Sequence, residues 1–253
     1  MNLFVTDFDR TLFIDRKISL EDINSIEAWQ KEGNKFVIAT GRDINSISEY
    51  ISIYNLKPDY LICNNGAAIF DKGRKRIVSN FIDKNIILEV IDYIYKNYEG
   101  GLSLSEINSK ISIEPRNGIS HEKDCKKLIS YKELSSIGEV YQIHKRFQEE
   151  DFTKVLEKDL NSRFFSHIIA YANSHNVDIV AKGVNKSEAI KYLQENLINI
   201  NKIITMGDSY NDLQMILDYE GFIISSAKEN LKNQVRNICS SVSDCLNIVS
   251  NIS

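Results

Sequence analysis

The stretch NLFVTDFDRTLF at residues 2–13 combines an apolar run with two acidic side chains. Residues 3–7 are typical of a strand that is buried on both faces, as in a parallel sheet. Asp7 and Asp9 then stand on either side of Phe8, so two like charges end the strand. Because like charges this close repel each other, the stretch raises the question of what compensates them.

The composition limits the class of protein. The 253-residue chain is 43% hydrophobic and has a formal net charge of −4, which allows one large domain or two smaller ones. The acidic balance disfavours nucleic acids and anionic membranes as partners. We expect neither a signal peptide nor a membrane span. The cysteines are scattered, which predicts free thiols and a cytoplasmic protein: Cys63, Cys125, Cys239 and Cys245.

The first third of the chain alternates apolar runs with amphipathic segments. Ser19 is a candidate N-cap and Gly33 a candidate helix stop. We predict strands at 3–7, 35–40 and 59–66, with helices at 19–33 and 43–54. This alternation is typical of a parallel sheet with helices on its faces.

The middle of the chain has a different pattern, and the last third returns to the first one. Two amphipathic helices at 83–98 and 149–163 enclose alternating stretches that favour antiparallel strands. The last third predicts helices at 185–197, 211–219 and 228–237, with a strand and loop at 201–209 and a strand at 221–225. We therefore expect an α/β domain formed by 1–80 and 179–253, interrupted by an α+β domain at 81–178.

Polar residues follow each predicted strand of the α/β domain, where open parallel sheets bind ligands. They are Asp7, Asp9 and Thr11; Thr40, Gly41 and Arg42; Asn64, Asn65 and Gly66; and Gly207, Asp208, Ser209, Asn211 and Asp212.

These strand ends predict a metal and phosphate site. Asp7, Asp9 and Asp208 converge if the first and the late strand are neighbours, and a hard cation such as Mg²⁺ suits their oxygen ligands. Mg²⁺ commonly also takes a phosphate oxygen, and Gly41 and Gly66 allow backbone amides to approach an anion. A single acidic residue at a strand end is more often a turn former or helix cap. The whole set in this order favours the site.

Five segments resemble the motifs of the haloacid dehalogenase superfamily, in particular its Cof-like members. DFDRTLF matches the pattern D-x-D-x-T, and the others follow in the family's order: ATGR (39–42), NNGA (64–67), KGVNKSEAI (182–190) and GDSYNDLQMI (207–216). The resemblance implies a Rossmann-like parallel-sheet core and a cap domain inserted between the second and third motifs.

The resemblance also implies residue roles. Asp7 would be the nucleophile that forms an aspartyl-phosphate, and Asp9 the general acid and base with its backbone carbonyl on the metal. Lys186, in preference to Lys182, would neutralise the phosphate and the nucleophile. Asp208 would complete the Mg²⁺ site, with Asp212 in a supporting position. The phosphate would be bound by Thr40, Gly41, Arg42, Asn65 and Asn211.

The expected function is a Mg²⁺-dependent phosphatase acting on small phosphorylated metabolites such as sugar phosphates. Transfer of the phosphoryl group to a sugar, as in a mutase, is the alternative. A phospho-accepting receiver domain would be about half as long and have no insertion, and an inactive relative is disfavoured by the intact acidic set and Lys186. We expect closure of the cap to raise the pKa of Asp9.

Two features stay open at the level of sequence. Arg10 stands where many relatives have Gly, and it either points to solvent or influences substrate binding and nearby pKa values. Five polar residues of the insertion are candidate contacts for the leaving group, although each is more commonly solvated or packed: Glu114, Arg116, His121, Tyr141 and His144.

Overall fold

The computed structural model describes residues 1–107, 109–114, 127–196 and 199–252. It divides into two compact units, Met1–Ile77 with Asn185–Ser253, and Val78–Val184. The second unit extends further at both ends than the expected insertion at 81–178, and those domain boundaries stay a prediction. Arg116, His121 and Cys125 lie outside the described residues.

The first unit is built around a sheet that, within the described residues, has the order β14-β13-β12-β1-β2-β3-β4-β5. Its central strands pair in parallel: β12 with β1, β1 with β2, and β2 with β3. The strands are β1 (Asn2–Thr6), β2 (Lys35–Ala39), β3 (Tyr60–Cys63), β4 (Ala68–Asp71), β5 (Arg76–Ser79), β12 (Lys202–Gly207), β13 (Glu220–Ile224) and β14 (Asn237–Cys239).

Two helices of this unit, α1 and α2, begin after residues whose side chains satisfy the first backbone amides. The Ser19 side chain accepts a hydrogen bond from the Asp22 amide, and Asp43 accepts from the amides of Asn45 and Ser46. The helices are α1 (Leu20–Lys31), α2 (Ile44–Ile53), α5 (Lys186–Asn196), α6 (Tyr210–Asp218), α7 (Glu229–Lys232) and α8 (Val242–Ile252).

The second unit contains a sheet of order β10-β11-β9-β6-β7-β8 in the part that the structure describes. Its pairs are antiparallel apart from β7 with β8, which is parallel. Its elements are α3 (Lys84–Asn97), β6 (Leu102–Glu106), β7 (Lys110–Ile113), β8 (Lys127–Ile129), β9 (Val140–Arg146), α4 (Asp151–Arg163), β10 (Ile168–Asn173) and β11 (Asn176–Ala181).

The core of the second unit follows from the helical spacing of its apolar residues. Ile87, Val90, Ile91 and Ile94 recur at intervals of three and four residues on α3, so they share one buried face. They belong to the same cluster as apolar residues of β6 and β9, such as Leu104. The predicted α/β fold with an α+β part is thereby confirmed.

Some predicted elements were wrong. The helix predicted at 228–237 ends at Lys232, because Asn237–Cys239 pairs with β13 as an edge strand instead. That pairing depends on hydrogen bonds from a distant segment, which local helix propensity does not include. The prediction also missed β4, β5, β8, β14 and α8, and β4 runs antiparallel to β3.

The structure bears on two further expectations. None of the described helices combines the length and the apolar character that crossing a bilayer requires. The cysteines within the described ranges are free, as predicted, and the structure shows that they are also buried: Cys63, Cys239 and Cys245.

Candidate active site

The register of the central strands places Asp7 beside Asp208. Thr6, the last residue of β1, lies opposite Met206 of β12, and the Asp7 amide donates a 2.8 Å hydrogen bond to the Met206 carbonyl. Asp208 follows two residues later at the same edge of the sheet. The neighbouring strands required by the sequence argument are therefore present.

Lys186 joins the two ends of the chain at this edge. It is the first residue of α5 and is 1% exposed. Its Nζ donates 2.5 Å hydrogen bonds to Asp7 Oδ1 and to Asp212 Oδ1. A buried ammonium group needs such partners, because removing it from water uncompensated is very costly. Lys182, the less favoured candidate for this role, is exposed.

Asp212 organises the loop between β12 and α6. Its Oδ2 accepts hydrogen bonds from the amides of Asp208 and Ser209, both at 3.1 Å, so Asp212 forms a capping box with Ser209 at the start of α6. A Cβ at Gly207 would lie 2.4 Å from the Cβ of Asp212. The loop can therefore close on Asp212 only with a glycine at position 207.

The turn after β3 packs against the start of α5. Gly66 has a φ of +106°, and a Cβ there would lie 2.2 Å from the carbonyl oxygen of Asn185. Asn185 directly precedes Lys186, so this close backbone contact helps to fix where the lysine side chain starts. Asn65, with a φ of 55°, also adopts the left-handed conformation in this turn.

The electrostatics of the acidic cluster reflect its burial. The pKa of Asp7 is raised well above its usual range, mainly by burial and then by Asp212, although Lys186 opposes this. Burial and Asp212 likewise raise the pKa of Asp208 to about 7. Burial lowers the pKa of Lys186, but Asp212 and Asp7 outweigh it and raise the pKa overall.

The cluster suits a hard divalent cation. Asp7, Asp208 and Asp212 each offer a carboxylate oxygen within 4.8 Å of the other two. Three carboxylates and one lysine leave excess negative charge, and oxygen-only ligands match the preference of Mg²⁺. Both oxygens of Asp212 already accept hydrogen bonds, which is compatible with the supporting position expected for it.

Arg10 contacts this cluster from the exposed side. Its Nε lies 3.1 Å from Asp208 Oδ2, and the two side chains are 51% and 8% exposed, respectively. The sequence left open whether Arg10 points to solvent, and the structure shows that it forms an ion pair.

Asp9 is paired with Arg42 instead of joining the acidic cluster. The guanidinium donates from Nε to Asp9 Oδ2 at 2.7 Å and from Nη2 to Oδ1 at 2.6 Å. It also donates to Ser46 and stacks over the Tyr50 ring, 4.6 Å from its centroid. These contacts use three of the five N–H donors of the guanidinium, and phosphate binding by Arg42 stays a prediction.

The other predicted phosphate-binding residues lie on neighbouring loops. The buried Thr40 donates its amide to Ile62 at 2.8 Å, and its hydroxyl oxygen accepts from the Arg42 amide at 3.1 Å. Asn211 donates from Nδ2 to Asn65 Oδ1 at 2.9 Å, which brings those two residues together. Gly41 lies between Thr40 and Arg42 on the loop after β2.

The candidates of the second unit have structural partners. His144 contacts Ser105 through Nε2 at 2.7 Å and Asp178 through Nδ1 at 3.0 Å. The hydroxyl groups of Tyr141 and Ser79 lie 3.1 Å apart. Glu114 is exposed and follows β7. Their role in recognising a leaving group stays a prediction.

Sequence reasoning missed three interactions at the site. Each of them joins segments that are distant in sequence. They are the pairing of Arg42 with Asp9, the contact of Arg10 with Asp208, and the approach of Gly66 to Asn185. The available signal was limited to unusual residue types, such as an arginine within D-x-D-x-T.

Comparison with known proteins shows the family of the chain. The sequence model of the haloacid dehalogenase-like hydrolases matches residues 4–249. The chain belongs to the haloacid dehalogenase-like hydrolase family. A functionally uncharacterised Mycoplasma capricolum protein is 27% identical, with 91% of this chain and 94% of that protein covered. The phosphatase YwpJ of Bacillus subtilis is 24% identical, with 92% of each chain covered.

Among the solved structures, this chain of the haloacid dehalogenase-like family is similar to BT4131, a sugar phosphatase of subclass IIB. The TM-score is 0.80 at 22% identity, with 100% of this chain and 99% of that chain covered. The predictions of the family and of the enzyme class, a phosphatase of the haloacid dehalogenase type, are confirmed.

Proposed function

We propose that this haloacid dehalogenase-type phosphatase is Mg²⁺-dependent and hydrolyses small phosphorylated metabolites, such as sugar phosphates, through an aspartyl-phosphate on Asp7. The observation that carries the proposal is the bridge of buried Lys186 between Asp7 and Asp212. It couples a cation to the proposed nucleophile at the strand edge where ligands of such sheets bind.

The arrangement suits Asp7 as the nucleophile. Lys186 donates to Oδ1, so Oδ2 is the oxygen we assign to the attack on phosphorus. That attack forms a bond between Oδ2 and phosphorus, and the bond from phosphorus to the ester oxygen breaks. Lys186 offsets part of the repulsion between the carboxylate and a phosphate dianion.

Asp9 is suited to proton transfer, with Arg42 as a positioning residue. As acid, Asp9 would give its proton to the leaving alkoxide; as base, it would then take a proton from the water that displaces Asp7 from phosphorus. The two hydrogen bonds from Arg42 fix the carboxylate plane.

The metal would be held by Asp7 and Asp208, with the Asp9 carbonyl as a further ligand and Asp212 in support. Mg²⁺, when bound, would neutralise charge on the phosphate oxygens. The substrate class is supported by the resemblance to Cof-like phosphatases and by the fold shared with BT4131. A cytoplasmic location and the absence of a nucleic-acid partner stay predictions.

The test is a phosphate-release screen over a panel of phosphorylated metabolites, with Mg²⁺ or with EDTA. We expect release only with Mg²⁺ and none from Asp7→Asn. Asp9→Asn should bind Mg²⁺ normally but lose about 10²–10⁴-fold in turnover. Asp15→Asn is the matched control, because Asp15 is exposed in the same loop.

Intact-mass analysis of protein quenched during turnover should show a phosphoryl adduct on the wild type and none on Asp7→Asn. Turnover by Asp7→Asn at the wild-type rate would refute the nucleophile, and full turnover in EDTA would refute the metal requirement. Transfer to a sugar, the second candidate, would instead produce an isomeric sugar phosphate without free phosphate.

A further inference from the structure

Arg10 occupies an unfavourable backbone position beside the metal site. Its φ is 67°, in the left-handed region that costs a non-glycine residue about 1–2 kcal/mol. The half-exposed side chain nevertheless reaches the buried Asp208. Arg10 therefore adds a positive charge to the acidic cluster from a backbone position that suits glycine.

The positive charges of the cluster are divided between two sides. Lys186 neutralises Asp7 and Asp212 from the buried side. Arg10 contacts Asp208 from the solvent side. Because the Arg10 side chain is half-exposed, it can exchange its contact with Asp208 for an anion once another cation takes over the buried carboxylate, whereas the buried Lys186 cannot leave its partners.

We propose that Arg10 is a displaceable counter-ion that competes with the divalent cation for Asp208 and transfers its contact to the phosphate group of the substrate. An anion that binds Arg10 frees Asp208 for the metal, so metal and anion promote each other's binding. Arg10 thus tunes the metal affinity and couples it to the presence of substrate. This inference rests on the proposed Mg²⁺ site.

The expected effect follows from simple electrostatics. A guanidinium that stays close to a divalent ion in a water-like dielectric weakens metal binding by roughly tenfold. Salt screens such a partly exposed interaction, so the effect should decrease as ionic strength rises.

The test is calorimetric titration of Mg²⁺ into the full chain without substrate. Arg10→Gln should bind Mg²⁺ roughly 3- to 20-fold more tightly than wild type at low salt. Arg10→Lys should stay close to wild type, and Arg10→Gly should match Arg10→Gln. Arg16→Gln is the control, since Arg16 is exposed and has a similar φ of 62°.

Inorganic phosphate supplies the second arm. It should tighten Mg²⁺ binding more in wild type than in Arg10→Gln, and 0.5 M KCl should reduce the difference between the two proteins.

Equal Mg²⁺ affinities in wild type, Arg10→Gln and Arg16→Gln would overturn the inference and leave the proposed function intact. Tightening by Arg10→Gly but not by Arg10→Gln would also overturn it, because backbone strain would then be the cause. Failure of the wild-type protein to bind Mg²⁺ at all would overturn both proposals.

Discussion

Replacing Lys186 with Met tests the charge balance of the site most directly. Met retains most of the side-chain length and removes the charge that contacts Asp7 and Asp212. Because both carboxylates are buried, the variant leaves them without their principal cation. Removing one partner of a buried ion pair costs about 3–5 kcal/mol.

That loss converts into a large change in thermal stability. At about 2–4 °C per kcal/mol for a protein of this size, the melting temperature of the metal-free variant should fall by about 6–20 °C. Mg²⁺ should restore part of the loss, since it binds the folded state and supplies positive charge to the same carboxylates. Phosphate release should fall below detection with Mg²⁺ present.

The assay is thermal and urea unfolding in EDTA and in Mg²⁺, together with phosphate release. Lys182→Met is the matched control, because it makes the same substitution at the exposed lysine of the same motif. Its stability and turnover should stay close to wild type. If Lys186→Met had the same stability and the same rate of phosphate release as Lys182→Met, the buried bridge would not be the organising contact of the site.

Three further predictions test separate contacts. Gly66→Ala should lower the free energy of unfolding by more than about 2 kcal/mol, whereas Gly33→Ala should lower it by about 1 kcal/mol. Both glycines have positive φ, but only at Gly66 would the added Cβ meet a backbone atom. Urea unfolding measures both losses, and equal losses would contradict the clash. Arg42→Met should lower kcat about 10–100-fold, because the Asp9 carboxylate would no longer be held in one orientation. The Mg²⁺ affinity measured by calorimetry should stay unchanged, since Arg42 does not contact the acidic cluster of Asp7, Asp208 and Asp212. An unchanged kcat would exclude the positioning role. In EDTA, the contribution of Asp208 to stability should decrease as pH rises from 5 to 8, because its raised folded pKa of about 7 means that the folded state binds this proton more tightly than the unfolded state does. The stability of Asp208→Asn relative to wild type should therefore increase over the same pH range. Unfolding of both proteins at each pH measures this, and a constant difference would contradict the raised pKa.

The sequence predicted the elements whose signals are local. Apolar runs identified β1, β2, β3 and β12, and Ser19 marked the start of α1 where the structure has it. Asp7 and Asp208 were expected to converge because parallel strands end at a common edge, and the pairing of β1 with β12 meets that condition. Residue types at strand ends were sufficient for this inference.

Elements stabilised by distant partners were predicted poorly. The edge strand Asn237–Cys239 pairs with β13, whereas the sequence had predicted a helix that ran as far as Asn237 and no strand after it. The same limit applies to Gly66, whose requirement arises from the backbone at Asn185 rather than from its own turn.

The sequence by itself determined the family and the main parallel strands of the α/β sheet, because these depend on hydrophobic periodicity and on residue types at strand ends. It also predicted that Asp7 and Asp208 share one edge, but it grouped Asp9 with them, whereas the structure pairs Asp9 with Arg42 and has Asp212 in the acidic cluster. Only the tertiary structure decided which cation serves which carboxylate: Lys186 for Asp7, Arg10 for Asp208 and Arg42 for Asp9. The physical reason is that ion pairs depend on ångström-scale distances between side chains brought together by folding, and spacing along the chain does not encode those distances.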